Sequence, residues 1–456
     1  MKWVFARPWV DAQTIRIRCG GKLTLTGHGA PEVCASVAPS DCCEGDEVVL
    51  QFDEDAVVGV PSTACTVQVE ECAEDLSASG LHCFLSVVRA GQDARIAQHA
   101  GGVCVGTAQD LRLRGVQGGV EVHEACGDVS AKSVNGGLQI DHCACDCVVT
   151  GLNGGCQLTS TGGDLSVRGT NGGLQVESVD GDLVLVGHSG GVQVQSVSGD
   201  ASVKGLSGGL ELAEVHGDVR LVGSSGGLTL GKVDGDCEAK GNSGGLKAER
   251  VGGDLSLEGH SGSAETSEVG GDLAIRTASG SLSFDRVGGK AEAAGVTSSD
   301  VRIVAAGDVT IEGSCDGQGR WELTSETGNL RVELPASAKP ILTQAQAGGE
   351  VTCELEKSED QQGLELVLSA AGNIEIVPAQ AEEQHHRRHW GARARRHVGV
   401  VLPDVQRIVS DAIGPILGRR HRPHDLREER LMVLKMLESG KVNADEAARL
   451  LDSLGG

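Results

Sequence analysis

Short runs in which apolar and polar residues alternate occupy the chain between about residues 100 and 335. In one of these runs, Leu174 and Val176 alternate with Gln175 and Glu177. A period of two is typical of a β-strand that buries one face and exposes the other. The pattern therefore predicts many short strands whose aliphatic side chains share one interior.

The runs recur every 18 residues. One turn of each unit carries an aspartate, usually after glycine, and these residues are Asp128, Asp146, Asp164, Asp182, Asp200, Asp218, Asp236, Asp254 and Asp272. Half a unit later a second turn begins with Asn or Ser before glycine, as at Asn171 and Ser189. Each unit thus has two halves of nine residues, each with one strand and one turn.

A single unit of this length cannot bury its own strands, but stacked copies can. We therefore predict an all-β fold, a parallel β-solenoid with 18-residue coils, followed by a small α-helical module. About thirteen coils are expected between residues 100 and 335. The predicted organisation is an irregular N-terminal β region or cap (1–100), the solenoid (101–378), a basic linker (379–423) and a helical hairpin (424–456).

Composition agrees with a thin fold. The 456 residues include 68 glycines and only eight aromatic residues, which suits tight corners and a narrow interior. No proline occurs between Pro61 and Pro335, as a continuous sheet requires. Trp3, Phe5 and Trp9 lie near one end and Trp321 near the other, where they are expected to cap the stack or to join one stack to the next.

The net charge of −25 is unevenly distributed. Residues from Ala379 onward carry 14 Lys and Arg against 11 Asp and Glu, so this part is net +3 and the rest is net −28. An acidic body disfavours nucleic-acid binding by the solenoid. The chain has neither a long apolar run nor an apolar N-terminus, which predicts a cytoplasmic protein with mostly reduced cysteines.

Two segments near the end of the repeats carry a family resemblance. Gly328-Asn329-Leu330-Arg331-Val332-Glu333-Leu334-Pro335 and Gly372-Asn373-Ile374-Glu375-Ile376 resemble the terminal strands of the bacterial putative-adhesin domain family, whose function is unknown. The resemblance covers roughly residues 100–378. It implies a β-solenoid without known catalytic residues.

The last residues predict two short helices. Asp425-x-x-Glu428 and Asn443-x-x-Glu446 have the pattern of capping boxes, and Gly440 suits the end of the first helix. The apolar positions that would meet a partner are Leu434, Leu437, Leu450 and Leu454. This segment resembles the SHOCT-like helical module, which implies a role in oligomerisation or in binding a protein partner.

The segment before the hairpin is basic. Residues 385–424 contain nine arginines, among them Arg387, Arg388, Arg395 and Arg396. One interpretation is a solvated linker with a short amphipathic helix. The others are docking on anionic lipid or nucleic acid, or folding back on the acidic solenoid.

The aspartates raise the hypothesis of a cation site. Asp164, Asp182, Asp200 and Asp218 would line up along the solenoid, as carboxylates do in calcium-binding repeats. However, the Gly-x-Gly-x-Asp pattern of those repeats is missing. The alternative is that each carboxylate accepts N–H groups of a turn.

The cysteines allow two interpretations as well. Cys143, Cys145 and Cys147 alternate in a strand and could share a face as metal ligands. In the 18-residue register, however, Cys147 takes the place of an inward leucine, and Cys104 that of the inward Val176. We therefore expect most cysteines to be small core residues.

Enzyme motifs and cofactor-binding motifs are not found, and hexapeptide acyltransferases, which share the coil length, need a catalytic histidine that no motif here supplies. The leading hypothesis is a non-enzymatic scaffold that associates with itself through the solenoid ends or the hairpin. The alternative is a regulatory or envelope-stress accessory protein that recruits a partner at an anionic membrane through residues 385–424 and the hairpin. A cation-binding repeat module is the third hypothesis.

Overall fold

The computed structural model describes residues 3–8, 14–30, 32–43, 47–62, 66–315, 318–356 and 363–379. Contacts within the chain divide it into two units, Met1–Gln380 and Ala381–Gly456, and all of the described residues belong to the first. The predicted basic linker beyond Ala379 and the predicted hairpin lie outside the described residues. The same holds for their candidate residues, which are Arg387, Arg388, Arg395, Arg396, Leu434, Leu437, Leu450 and Leu454.

All regular elements in the described part are β-strands. The N-terminal strands are β1 (Phe5–Pro8), β2 (Thr14–Cys19), β3 (Leu23–His28), β4 (Glu32–Ala35), β5 (Asp41–Cys43), β6 (Glu47–Phe52), β7 (Ala56–Pro61), β8 (Thr66–Cys72), β9 (Leu76–Ser79), β10 (Phe84–Arg89) and β11 (Ala94–Ala97). The C-terminal strands are β38 (Ile341–Ala347), β39 (Val351–Cys353), β40 (Leu364–Ala370) and β41 (Ile374–Pro378).

Between these ends, 26 strands form thirteen coils of two strands each, as the period predicts. They are β12 (Val103–Ala108), β13 (Leu111–Val116), β14 (Val120–Ala125), β15 (Val129–Val134), β16 (Leu138–Cys143), β17 (Cys147–Thr150), β18 (Cys156–Thr161), β19 (Leu165–Arg168), β20 (Leu174–Val179), β21 (Leu183–Val186), β22 (Val192–Val197), β23 (Ala201–Lys204), β24 (Leu210–Val215), β25 (Val219–Val222), β26 (Leu228–Val233), β27 (Cys237–Lys240), β28 (Leu246–Val251), β29 (Leu255–His260), β30 (Ala264–Val269), β31 (Leu273–Ala278), β32 (Leu282–Val287), β33 (Ala291–Thr297), β34 (Asp300–Ala305), β35 (Val309–Ser314), β36 (Gly319–Ser325) and β37 (Leu330–Leu334).

The strands form two long sheets. Sheet A contains β1, β3, β4, β7, β9 and the odd-numbered strands from β11, and sheet B contains β2, β5, β6, β8 and the even-numbered strands from β10. Within the repeats each strand pairs in parallel with its equivalents in the preceding and following coils. Leu174, for example, lies opposite Cys156 on one side and Val192 on the other. The predicted all-β parallel β-solenoid is therefore confirmed.

The core lies between the two sheets. In β20, Leu174, Val176 and Val179 are at most 2% exposed, whereas Gln175 and Glu177 point outward. Each buried aliphatic side chain contributes roughly 1.5–3 kcal/mol of hydrophobic free energy. Stacked layers of such side chains hold the coils together.

Three of the few aromatic residues, Phe52, Phe284 and Trp321, are also part of this core. Trp321 and Phe284 are fully buried, and the indole Nε1 of Trp321 donates a hydrogen bond to the Ser298 carbonyl at 3.0 Å. Trp321 is therefore not a joining surface, contrary to one of the two expectations. Trp3 is 40% exposed and lies against the ring of His28 at the N-terminal end.

At the N-terminal end the stacking order differs from the sequence order. Strands β2 and β3 lie between the coil formed by β6 and β7 and the coil formed by β8 and β9. The outermost coil is covered by antiparallel strands, because β5 pairs with β6 and β4 pairs with both β7 and β1. The edge strands at this end are therefore the short antiparallel strands β1 and β5, of four and three residues.

At the C-terminal end the stacking order also differs from the sequence order, but among the described residues no antiparallel strand covers the outermost coil. Strands β36 and β37 pair with β40 and β41, and these pair in turn with β38 and β39. The coil that is last in sequence is therefore second to last in the stack. Within the described residues, no strand pairs with the outer edges of β38 and β39.

Candidate functional site

The aspartates of the repeat form a continuous row along one corner of the solenoid. Oδ1 of Asp164 accepts the backbone N–H of Asp182 at 2.8 Å, and Oδ1 of Asp182 accepts that of Asp200 at the same distance. Asp200 and Asp218 continue the pattern, each bonding the aspartate of the next coil at 2.8 Å. The aspartates therefore tie successive turns together.

The glycine that precedes most of these aspartates makes room for this bond. A Cβ on Gly181 would overlap the Asp164 carboxylate. Toward the C-terminal end, Asn329 takes the place of aspartate, and its Oδ1 accepts the N–H of Asn373 at 2.9 Å. A neutral amide thus serves the same purpose as a carboxylate.

The aspartate row places carboxylates of like charge near one another. Burial, and then the charges of neighbouring aspartates, raise the pKa of Asp128 and Asp200. In the part of the chain that the structure describes, no group of three or more His, Cys, Asp or Glu could hold a metal ion. We conclude that the hydrogen bonds between coils are sufficient to explain the row.

The structure brings Cys143 and Cys147 into contact, but it leaves the Cys145 side chain apart from them. Cys143 and Cys147 are buried inside the coil, whereas Cys145 is exposed. A hydrogen bond from Cys147 lowers the pKa of Cys143, and the same contact together with burial raises the pKa of Cys147 well above its usual range. The buried positions agree with the interpretation of Cys143 and Cys147 as core residues.

Cys104 lies on the outer face of sheet B, so its expected inward position is wrong. Val103 pairs with Val120, 17 residues later, whereas Val120 pairs with Leu138, 18 residues later. Counting by 18 therefore misplaces Cys104 by one residue, and a shift of one residue changes the face of a strand. Cys104 lies beside Glu121 on the neighbouring strand.

The correct register reveals an array of three side chains that the sequence analysis missed. The Sγ of Cys104 lies 4.0 Å from Nε2 of His123, and Nδ1 of His123 lies 2.8 Å from Oδ2 of Asp141. The Nε2 amide of Gln139 donates to Oδ1 of Asp141 at 3.1 Å. Strands β12, β14 and β16 supply the three residues, which we call the Cys104 array.

A long, shallow groove on sheet B begins next to the Cys104 array and has a volume of about 1120 Å³. Its polar side is formed by Glu121, Gln139, Gln157, Gln175, Gln193, Glu211 and Thr229. Its floor is a row of glycines, which are Gly102, Gly119, Gly137, Gly155, Gly173, Gly191, Gly209 and Gly227. Phe84, which is 45% exposed, stands at one end.

The two glycines of each Gly-Gly pair differ in their surroundings. Gly172 has a φ of +139°, and a Cβ there would overlap the carbonyl of Gly154. A Cβ on Gly173 would meet nothing within 4 Å, and Ser263 occupies the equivalent position in a later coil. The first glycine is thus required by the turn, whereas the second leaves the groove open.

The exposed end of the solenoid is the remaining candidate site. Leu342, Ala345, Ala347 and Cys353 are only partly buried against the core, and Val351 is 43% exposed. The C-terminal end thus combines apolar side chains with the backbone groups of two outermost strands.

These features define a parallel β-solenoid protein. The SHOCT-like domain family matches residues 428–456, which confirms the predicted resemblance for that segment. No curated protein and no solved structure matches the chain. In the described residues, no helix has the length and apolarity needed to cross a membrane.

Proposed function

We propose that the protein is a non-enzymatic scaffold that associates with itself through the C-terminal end of its solenoid. The observation that carries this proposal is the difference between the two ends. At the N-terminal end the outermost strands are β1 and β5, which are antiparallel to their neighbours and only four and three residues long, whereas at the C-terminal end the outermost described strands include the parallel, seven-residue β38. An uncovered strand edge is a template for pairing with another chain.

The occupant that fits this end best is a second copy of the chain. Because the edge strands at the N-terminal end are very short, which limits pairing with another chain, addition of one copy to the next in a continuous series is disfavoured. Two copies related by a twofold axis would instead pair their β38 strands in antiparallel fashion, and each copy would bury the other's Val351. Such an interface is self-complementary, as twofold dimers require.

The test uses a proline at the outer edge of β38. The N–H of Gly348 bonds inward to Ala370 at 3.1 Å. Since successive N–H groups along a strand point to opposite neighbours, the N–H of Ala345 points outward. Ala345→Pro therefore removes an outward donor and keeps the pairing with β40, and Ala345→Val is the matched control.

We expect the full-length protein and Ala345→Val to be dimers in light scattering, with particles of doubled length in negative-stain micrographs. Ala345→Pro is expected to be a monomer with an unchanged circular dichroism spectrum. A monomeric parent protein at high concentration would overturn the proposal. So would crosslinks that place residues 381–456 of the same copy on β38.

The SHOCT-like match supports a second candidate, an adaptor that recruits a protein partner at a membrane. Residues 385–424 would bind anionic lipid, at about 1 kcal/mol for each basic residue near the surface. Full-length protein should sediment with phosphatidylserine vesicles at low salt. A variant with glutamine at Arg387, Arg388, Arg395 and Arg396 should not, and equal sedimentation of the two would contradict this candidate. Cytoplasmic location stays a prediction.

A further inference from the structure

The Cys104 array lies on the outer face of sheet B, far along the chain from the end used in the proposed assembly. It brings a thiol, an imidazole and a carboxylate together from three successive coils, with separations of 4.0 Å and 2.8 Å. A nucleophile next to a base that is itself oriented by a third group is the usual arrangement of an activated nucleophile.

The buried and the exposed cysteines of the described residues differ from Cys104 in their surroundings. Eight of them are buried, and burial raises the pKa of Cys156 and Cys237 to about 12. Cys126 and Cys145 are exposed, but within the described residues neither thiol has a hydrogen bond to a histidine. Cys126 therefore provides a control within the same molecule.

Burial and the neighbouring carboxylates determine the protonation states of Cys104 and His123. Burial, and then the charge of Glu121, raise the pKa of Cys104, so the thiol needs a base to lose its proton near neutral pH. The hydrogen bond that His123 donates to the carboxylate of Asp141, aided by the charge of Glu121, raises the pKa of His123. Cys104, Glu121 and Asp141 are the titratable groups around the ring. With Nδ1–H donated to Asp141, Nε2 of neutral His123 is left to accept the thiol proton.

We propose that Cys104 is a site of thiol–disulfide exchange with low-molecular-weight disulfides. Nε2 of His123 takes the Sγ proton, and the Cys104 sulfur forms a bond to one sulfur of the disulfide while the original S–S bond breaks. The departing thiolate takes the proton from His123. Cys104 is oxidised to a mixed disulfide and the other half of the reagent is reduced to a thiol.

A disulfide is favoured over an acyl donor as the substrate, because attack of the thiolate on a disulfide creates no oxyanion. The reaction therefore needs only the thiol, imidazole and carboxylate that the structure places here. The substituent that remains on Cys104 has room in the adjacent groove, which Glu121 and Gln139 border. The site does not depend on the proposed dimer, because β12 to β16 are remote from β38 in the stack.

The experiment treats the reduced full-length protein with oxidised glutathione between pH 6 and 9, stops the reaction with acid and measures each cysteine by peptide mass spectrometry. At pH 7.5 we expect Cys104 to react at least tenfold faster than Cys126. The rate at Cys104 should rise as His123 loses its proton, at pH values well below the pKa of the thiol. His123→Gln should remove this rise and bring the rate at Cys104 to that at Cys126.

Asp141→Asn is the second variant. Because Asp141 raises the pKa of His123, its loss should move the rise in rate to lower pH, a change that a purely structural role would not produce. Melting curves of both variants check that the solenoid is intact. Equal rates at Cys104 and Cys126 in the parent protein, or an unchanged pH profile in folded His123→Gln, would overturn the proposal.

Discussion

The carboxylate of Asp182 accepts the backbone N–H of Asp200, which stands at the same position one coil later, with an Oδ1–N distance of 2.8 Å. The bond satisfies a turn N–H that no strand can pair, and it recurs along the solenoid. A side chain that performs the same bond in every coil explains the repeated Gly-Asp pair as an element of stability. Carboxylates arranged in this way repel one another, so the hydrogen bond depends on the acceptor oxygen and not on the negative charge.

Replacement of Asp200 should separate the hydrogen bond from the charge. Asp200→Ala leaves the N–H of Asp218 without its acceptor, which typically costs about 1–3 kcal/mol. Asp200→Asn keeps an acceptor, as Asn329 does naturally, and removes one charge from the row. We expect the alanine variant to unfold at lower urea concentration and the asparagine variant to match or exceed the parent protein.

The same variants test the cation hypothesis. If the row bound calcium, added calcium would raise the melting temperature of the parent protein, and Asp200→Asn would lose that effect. We expect no calcium-dependent change in either protein. A stabilisation by calcium at micromolar concentration that disappears in Asp200→Asn would contradict the structural interpretation of the aspartates.

The two glycines of one turn should respond differently to alanine. Gly172→Ala forces a side chain into positive φ and against the Gly154 carbonyl, and should cost more than about 1 kcal/mol. Gly173→Ala meets open space and should change the free energy of unfolding by less than about 0.5 kcal/mol. Urea titrations of the pair measure the difference. Equal destabilisation would show that the second glycine also has a structural role.

The period of the sequence predicts the solenoid and the inward positions in its regular part, because every coil has the same strand and turn pattern. It does not predict the stacking order at the ends, where β2 and β3 lie inside the coil of β6 and β7. Strands of adjacent coils have similar apolar faces, so their order depends on contacts that the pattern does not encode. A constant period of 18 does not predict the Cys104 array, because a single 17-residue step shifts the register there.

We expect buried His188 to make the solenoid less stable in acid. His188 is 3% exposed, and burial lowers its pKa. A lowered pKa means that the unfolded chain takes up the proton first, so the stabilising contribution is complete above about pH 6.5 and is lost as the pH falls further. Leu206 and Leu152 occupy the equivalent positions in other coils. His188→Leu should therefore fit the site and reduce the loss of stability between pH 7.5 and pH 5.

Melting temperatures at the two pH values measure this change. The raised pKa of Asp200 gives stability the opposite pH dependence, because its stabilising contribution is present at low pH and is lost as the pH rises through the folded-state pKa. Since Asp200 is unchanged in His188→Leu, the difference between the two proteins isolates the histidine. Parallel pH profiles for the parent and the variant would rule out His188 as the source of the acid sensitivity.

Cys237 should behave as an aliphatic core residue. It lies between Val219 and Leu255 in the stack, it is 1% exposed, and burial raises its pKa to about 12. Cys237→Val keeps a side chain of similar volume and should change the free energy of unfolding by less than about 1.5 kcal/mol. In the parent protein, iodoacetamide at pH 8 should label Cys237 only at the rate of unfolding. Labelling of Cys237 as fast as that of the exposed Cys126 would mean that the coil opens locally, and would place this part of the core among the least stable regions of the solenoid.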